Sequence, residues 1–283
     1  MTLTCFKSYD IRGRLGAELN EGVASLIGRA FGQALGARRV VLGRDCRASS
    51  QALAGAVAIG LREAGVDVLD LGLCGTEEVY FATAHLGADG GIVVTASHNP
   101  MDYNGMKLVK AGSAPLQSAL LAQVRALAEG GQFVAARPGQ ITPADTRRAY
   151  VARILSFVDL AALRPLHIVV NAGNGTAGPT FDALAAELAR LGAPLSFQRV
   201  HHNPDGSFPH GIPNPLLPEN QPITAQAVRA HGADFAVAWD GDFDRCFLFD
   251  HEGSFVPGEY VVGLLAQAFL AKEPGPPQPG YSR

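Results

Sequence analysis

Three things are scarce in this sequence. No apolar run approaches 18 residues, so no transmembrane helix is expected. There is no basic surplus: 23 Lys and Arg face 26 Asp and Glu, for a net charge of -3. Nucleic acid or an anionic membrane surface would demand that surplus, so neither is an expected partner. Cysteine is sparse, with Cys5, Cys46, Cys74 and Cys246 scattered and no C-x-x-C pair among them. A chain of 283 residues can bury a core without disulfide staples, so free thiols in a reducing cytosol are expected. The N-terminal MTLTCFKSYDIRGRLG also lacks the charged-then-apolar layout of a secretory signal, and the protein is read as cytoplasmic. Charged residues make up 17% and apolar residues 47%, the balance of a soluble globular protein with room for two domains.

What is present is alternation. Strands are expected at 38–45, 66–72 and 90–97, with helices at 49–65 and 76–87 between them. Ser49 or Ser50 is the expected N-cap of the first helix, and Gly65 lies just past its end. A second series follows a helical stretch at 143–157. LHIVVN is a strand, a glycine-rich turn opens a helix, and APLSFQRV, ADFAVAW and CFLFD are further strands. The β-α-β order predicts an α/β fold of two consecutive domains, with mostly parallel (mixed) sheets, over about 1–150 and 151–255. From Gly258 a helix starts a third unit and runs into PGPPQPGYSR, which has no periodic pattern.

Ligands of open parallel sheets sit at the carboxyl ends of strands, and two strands here run into dense polar loops. In WDGDFDR, Asp240, Asp242 and Asp244 recur at i, i+2 and i+4. Carboxylates this close repel unless a cation sits among them, and an all-oxygen set favours Mg²⁺ or Ca²⁺ over zinc. An EF-hand is excluded, because its sixth and twelfth positions hold Arg245 and His251. Three carboxylates leave a six-coordinate Mg²⁺ short of oxygens, and a phosphate would complete it. The plain alternative is a solvated acidic turn. In TASHNP, Ser97 lacks the G-x-S-x-G elbow of a hydrolase, and a serine that carries a phosphoryl group fits better. Lys107 could then shuttle a proton or counter the phosphate charge, and Arg12 of YDIRG could hold a phosphate. Their plain alternatives are an N-cap serine, an edge-strand lysine and a surface pair of Arg12 with Asp10. Gly173, Gly175 and Gly178 form a G-x-G-x-x-G turn, but SFQRV places Gln198 and Arg199 where a dinucleotide site wants an acid. His201, His202 and His210 lack a metal-ligand spacing.

YDIRG, TASHNPMDYNGMK and DGDFDR, in this order, resemble the motifs of the α-D-phosphohexomutase family, most closely its bacterial phosphomannomutase/phosphoglucomutase type, over Cys5 to about Ala271. The resemblance implies that Ser97 is the phosphoserine, flanked by His98. It implies that Asp240, Asp242 and Asp244 bind Mg²⁺ together with the group on Ser97. Arg12, Lys107 and Arg245 then belong to the active site. The implied reaction converts mannose 6-phosphate, or a glucose phosphate, to the 1-phosphate through a hexose 1,6-bisphosphate, which serves as activator and intermediate and feeds GDP-mannose and surface polysaccharide. Family members have four domains. This chain stops at Arg283, where the third has barely begun, so the sugar-reading parts are expected to be missing and mutase activity impaired. Competing readings are a Mg²⁺-dependent phosphatase or sugar-phosphate-binding remnant, and a nucleotide-dependent oxidoreductase built on the Gly173 turn.

Overall fold

The computed structural model describes residues 2–272. In chain order the first unit contains β1 (Ile11–Arg14), α1 (Glu21–Leu35), β2 (Arg39–Arg44), α2 (Ser50–Glu63), β3 (Asp67–Leu73), α3 (Thr76–His85) and β4 (Gly90–Val94). It continues through β5 (Tyr103–Lys110), β6 (Ala114–Pro115), α4 (Ser118–Gly130) and β7 (Ile141–Pro143). Its sheet runs β1-β5-β4-β2-β3-β7, with β6 beside β5. The alternating β-α-β stretch gives the parallel centre, β4-β2-β3, because each crossover helix returns the chain to the same end of the sheet. Between β4 and β5 there is only a short loop, so β5 must run antiparallel, and Lys107 lies opposite Val93. The sheet is therefore evenly mixed rather than mostly parallel.

Every residue of β4 is buried, as its unbroken β-branched run requires of a central strand. The main core gathers Ile27, Phe31, Leu42, Leu61, Ile92 and Met106. Helices α1 and α2 pack almost backbone to backbone. The space where a Gly28 Cβ would sit is taken by the Val57 carbonyl, and that of Gly60 by the Ser25 carbonyl. Asn20 caps α1 by accepting from the Val23 N–H.

The second unit contains α5 (Arg147–Leu155), β8 (Leu166–Asn171), α6 (Ala177–Arg190), β9 (Leu195–Val200), α7 (Pro222–His231), β10 (Phe235–Trp239), β11 (Cys246–Phe249) and β12 (Phe255–Val256). Its sheet runs β12-β11-β10-β8-β9, parallel over β10-β8-β9 and antiparallel at β11 and β12. Helix α8 (Gly258–Lys272) follows, with Tyr260, Val262, Leu264, Phe269 and Leu270 exposed. The PGPPQPGYSR tail lies outside the described residues. Among those described, no helix is long and apolar enough to cross a membrane.

Two local expectations change. Ser49 stands at the N-cap of α2 but caps nothing: its Oγ accepts from Asn104, while the Ser50 Oγ donates to Asp45 at 2.5 Å. Both hydroxyls are drawn into a buried polar network that competes with the cap. The helix expected at 143–157 shortens to α5, because 141–143 pairs with β3 as an edge strand.

Gly60→Ala tests the helix contact. In an exposed helix alanine gains roughly 1 kcal/mol over glycine. Here the new Cβ collides with backbone, and overpacking of this kind costs about 1–3 kcal/mol, so net destabilisation of about 1 kcal/mol is expected by chemical denaturation. A stabilised variant would refute the close packing.

Candidate active site

The carboxyl end of β4 aims Ser97 at the second unit. Ser97 is 3% exposed and adopts φ 51°, a left-handed conformation uncommon outside glycine. Its N–H donates to Thr95 Oγ1 at 2.8 Å. Its Oγ donates to Asp240 Oδ2 at 2.6 Å, and Arg245 Nη2 donates to that Oγ at 2.9 Å. His98 Nδ1 lies 3.3 Å from the same oxygen and also contacts Arg245 Nη2.

The acidic turn after β10 approaches from the opposite side. Asp240 and Asp242 are fully buried, and Asp244 is partly exposed. One oxygen from each lies within 4.8 Å of the others. Two cations answer the cluster: Arg245 pairs with Asp240, its Nε 3.0 Å from Oδ2, and Lys107 Nζ lies 2.6 Å from Asp242 Oδ2 and also contacts Asp244 Oδ2. Burial alone would lower the Lys107 pKa, but these two carboxylates more than reverse it and keep the ammonium charged. Burial pushes Asp240 well above the ordinary carboxylate range, and Asp242 repels in the same sense, against Arg245 and the Ser97 hydrogen bond. Burial also works against an ionised Asp242, yet Lys107 and the Lys107 and Thr76 hydrogen bonds hold it below the ordinary range.

Arg12 on β1 pairs with Asp10 at 2.9 Å, as its plain reading held, but both side chains are nearly buried and line the cavity. That cavity, about 550 Å³, is bounded by Arg12, Ser97, His98, Lys107, Asp244 and Arg245. The three sequence motifs therefore converge on one pocket. The carboxylate triad also fits a hard divalent cation: the donors are all oxygen, and the buried Asp242 Oδ1 has no hydrogen-bond partner.

The Gly173 turn belongs to the protein rather than to a nucleotide. A Cβ on Gly175 would lie 2.6 Å from the Gly241 carbonyl, and one on Gly178 would meet the His202 carbonyl. These glycines admit the acidic turn and a neighbouring loop against the start of α6. Arg199 pairs with Asp182 at 2.9 Å. His201 and His210 stack on each other 3.7 Å apart, whereas His202 Nε2 lies 3.0 Å from Asp182, so the three do not converge.

Sequence reasoning missed several supports. Thr76 Oγ1 donates to Asp242 Oδ2 at 2.6 Å, and its N–H donates to the Asp242 carbonyl. Glu78, 3% exposed, accepts from the Gly75 N–H, from Thr180 Oγ1 of the second unit and from Arg147 Nε. Buried Arg47 donates to the carbonyls of Ser97, Asn99 and Pro100 at 3.0, 2.6 and 3.0 Å. An arginine two residues past Asp45, at the end of β2, was the available signal.

The family models for phosphoglucomutase/phosphomannomutase α/β/α domains I and II match residues 4–135 and 148–253. The chain belongs to the phosphoglucomutase/phosphomannomutase family. It is 58% identical to a phosphomannomutase of Salmonella montevideo over 96% of this chain and 61% of that protein. It is 56% identical to a phosphohexose mutase of Xanthomonas campestris pv. campestris, over 97% of this chain and 61% of that protein. A phosphoglucomutase/phosphomannomutase family crystal structure from Burkholderia thailandensis superposes with TM-score 0.87 at 38% identity, over 97% of this chain and 60% of the other. The chain thus spans about three fifths of the length of these family members.

Two outcomes follow from the charge balance of this site. Lys107→Met leaves buried carboxylates uncompensated, and loss of one partner from a buried pair costs about 3–5 kcal/mol. Denaturation in EDTA should show a loss near the lower end of that range, and millimolar Mg²⁺ should recover much of it. An unchanged midpoint in EDTA would refute the pairing. Burial, with Arg245 and Arg12, holds the His98 pKa below its ordinary 6.5. As pH falls through 6.5 the unfolded chain takes up a proton that the folded chain refuses, so stability declines until the folded value is passed. His98→Gln should flatten that part of the stability–pH curve, as read by melts between pH 7 and 5; an identical slope would count against the assignment.

Proposed function

We propose that this chain carries the phosphoserine and metal-binding parts of a phosphomannomutase, which interconverts mannose 6-phosphate and mannose 1-phosphate and accepts glucose phosphates. The supporting observation is the hydroxyl of Ser97, held between Asp240 of the other unit and Arg245, at the mouth of a cationic pocket. The 52–59% identity to proteins named phosphomannomutase favours that substrate class. In functional terms the units are 1–150, bearing the serine, and 151–255, bearing the acids, with 256 onward opening a further one. The absence of a basic surplus and of paired cysteines supports a cytoplasmic enzyme with small hexose phosphates as partners.

The geometry divides the work. In the unphosphorylated state the Ser97 hydroxyl donates to Asp240 and accepts from Arg245, which fixes the oxygen at the cavity wall. Phospho-Ser97 gives its phosphoryl group to the free hydroxyl of the hexose phosphate. The Ser97 oxygen–phosphorus bond breaks as the sugar oxygen–phosphorus bond forms, and the proton given up by the sugar hydroxyl ends on the Ser97 oxygen, yielding a hexose 1,6-bisphosphate and a free serine hydroxyl. The bisphosphate then returns its other phosphoryl group to Ser97. Arg245 and Arg12 supply guanidinium groups for phosphate oxygens, and Lys107, held by Asp242 and Asp244, brings positive charge to the same cavity. Asp240, Asp242 and Asp244, with the oxygens on Ser97, would hold Mg²⁺, which when bound neutralises charge on the transferred group.

Incubation with glucose 1,6-bisphosphate should add one phosphoryl mass at Ser97, and subsequent mannose 6-phosphate should remove it. Ser97→Ala should abolish uptake, read by intact mass and peptide mapping. Undiminished labelling of that variant would overturn the assignment.

A further inference from the structure

The left-handed turn at Ser97 has no glycine to make it easy, so something else must hold it. The contacts identify that element. Three carbonyls of the serine loop converge on the Arg47 guanidinium, which is also oriented by Asp45 3.7 Å away. Asp45 Oδ1 in turn accepts from the Arg47 N–H and from Ser50 Oγ, and Asn104, at the far end of the loop, donates to Ser50 Oγ. Arg47 is 3% exposed and touches neither the cavity nor the acidic triad.

Its outer face is covered by the second unit. The guanidinium carbon lies 5.6 Å from the ring centre of Phe208. Phe208 is 5% exposed and itself holds φ 46°, a conformation that an aromatic residue keeps only where its surroundings over-determine it. Beside it, a Cβ on Gly206 would collide with the Cys46 carbonyl, and Cys46 Sγ lies 3.4 Å from the Asn174 carbonyl. The second unit thus closes directly onto the residues that flank Arg47.

We propose that Arg47, backed by Phe208, is a positioning residue that locks Ser97 in its left-handed turn, so that contact between the two units sets the aim of the serine oxygen. The kinetic part of this inference rests on Ser97 being the phosphoryl carrier; the conformational part does not.

The test uses Arg47→Lys and Phe208→Leu in the full chain, with two readouts. A lysine keeps the charge but cannot span three carbonyls with one planar group. Hydrogen exchange of the 97–104 segment should quicken at least tenfold in Arg47→Lys and about threefold in Phe208→Leu, with α1 and β2 unchanged. The maximal rate of phosphoryl uptake at Ser97 should fall at least tenfold in Arg47→Lys, with the half-saturating bisphosphate concentration within threefold of wild type. Unchanged exchange in 97–104, or an equal rise throughout the first unit, would overturn the proposal. So would a loss confined to half-saturation. If Arg47→Lys does not fold, Phe208→Leu decides by the same exchange measurement, since it leaves every Arg47 hydrogen bond in place. Wild-type chain that takes up no phosphoryl group would sink the functional reading, while the exchange data would still decide the role of Arg47.

Discussion

Three carboxylates whose oxygens lie within 4.8 Å of one another cannot be buried without a cation among them. That constraint ties the molecule together. The acids sit on a turn of the second unit, and the cation that reaches Asp242 and Asp244, Lys107, sits on a strand of the first. The second unit pairs Asp240 with its own Arg245, but it leaves Asp242 to a cation of the first. Separation of the two would strand a buried Asp242 and a largely buried Lys107 at once, so the electrostatic demand of the acidic turn also holds the units in register.

The backbone serves the same end. Gly175 lets the acidic turn approach the start of α6, where Thr176 donates to the Gly241 carbonyl. Thr76 begins α3 and grips Asp242 through both its hydroxyl and its N–H. Glu78, two residues later, accepts from a threonine of the second unit. Neutral hydrogen bonds of this kind contribute roughly 1 kcal/mol each, and those to charged groups about 1.5–3 kcal/mol. Their larger effect is geometric, since they fix a serine from one unit 2.6 Å from an aspartate of the other. The proposed phosphoryl transfer would draw on such preorganisation, because most catalysis of that reaction is positioning and charge stabilisation.

Much of this was legible beforehand where the chemistry is local. An i, i+2, i+4 run of aspartates announces its charge problem without any structure, and an all-β-branched run such as Ile92-Val93-Val94 announces a buried strand. The G-x-G-x-x-G turn shows the limit of local reading. Its pattern alone reads as a dinucleotide fingerprint short of its acid, and only the fold says that the Gly241 and His202 carbonyls approach these glycines. Ser49 and Ser50 misled for a related reason: a hydroxyl before a helix is a good cap until a buried Asp45 and Asn104 compete for it. Arg47 was passed over because an arginine after a strand reads as surface charge. Its value lies in carbonyls some fifty residues away that nothing nearby in the chain foretells.

By itself, then, the sequence determined the alternation of strands and helices, the identity of the reactive groups and the sign of the charge each carries, since these follow from residue type and short-range periodicity. The tertiary structure alone decided which groups share a site. Lys107 meets Asp242 because β5 must fold back antiparallel on β4, and Ser97 meets Asp240 because two sheets present their carboxyl ends to each other. It also decided what those groups become there. Burial and neighbours turn two chemically identical aspartates into one whose affinity for a proton rises, Asp240, and one whose affinity falls, Asp242. A pKa is set by dielectric and distance, and both are properties of the folded chain.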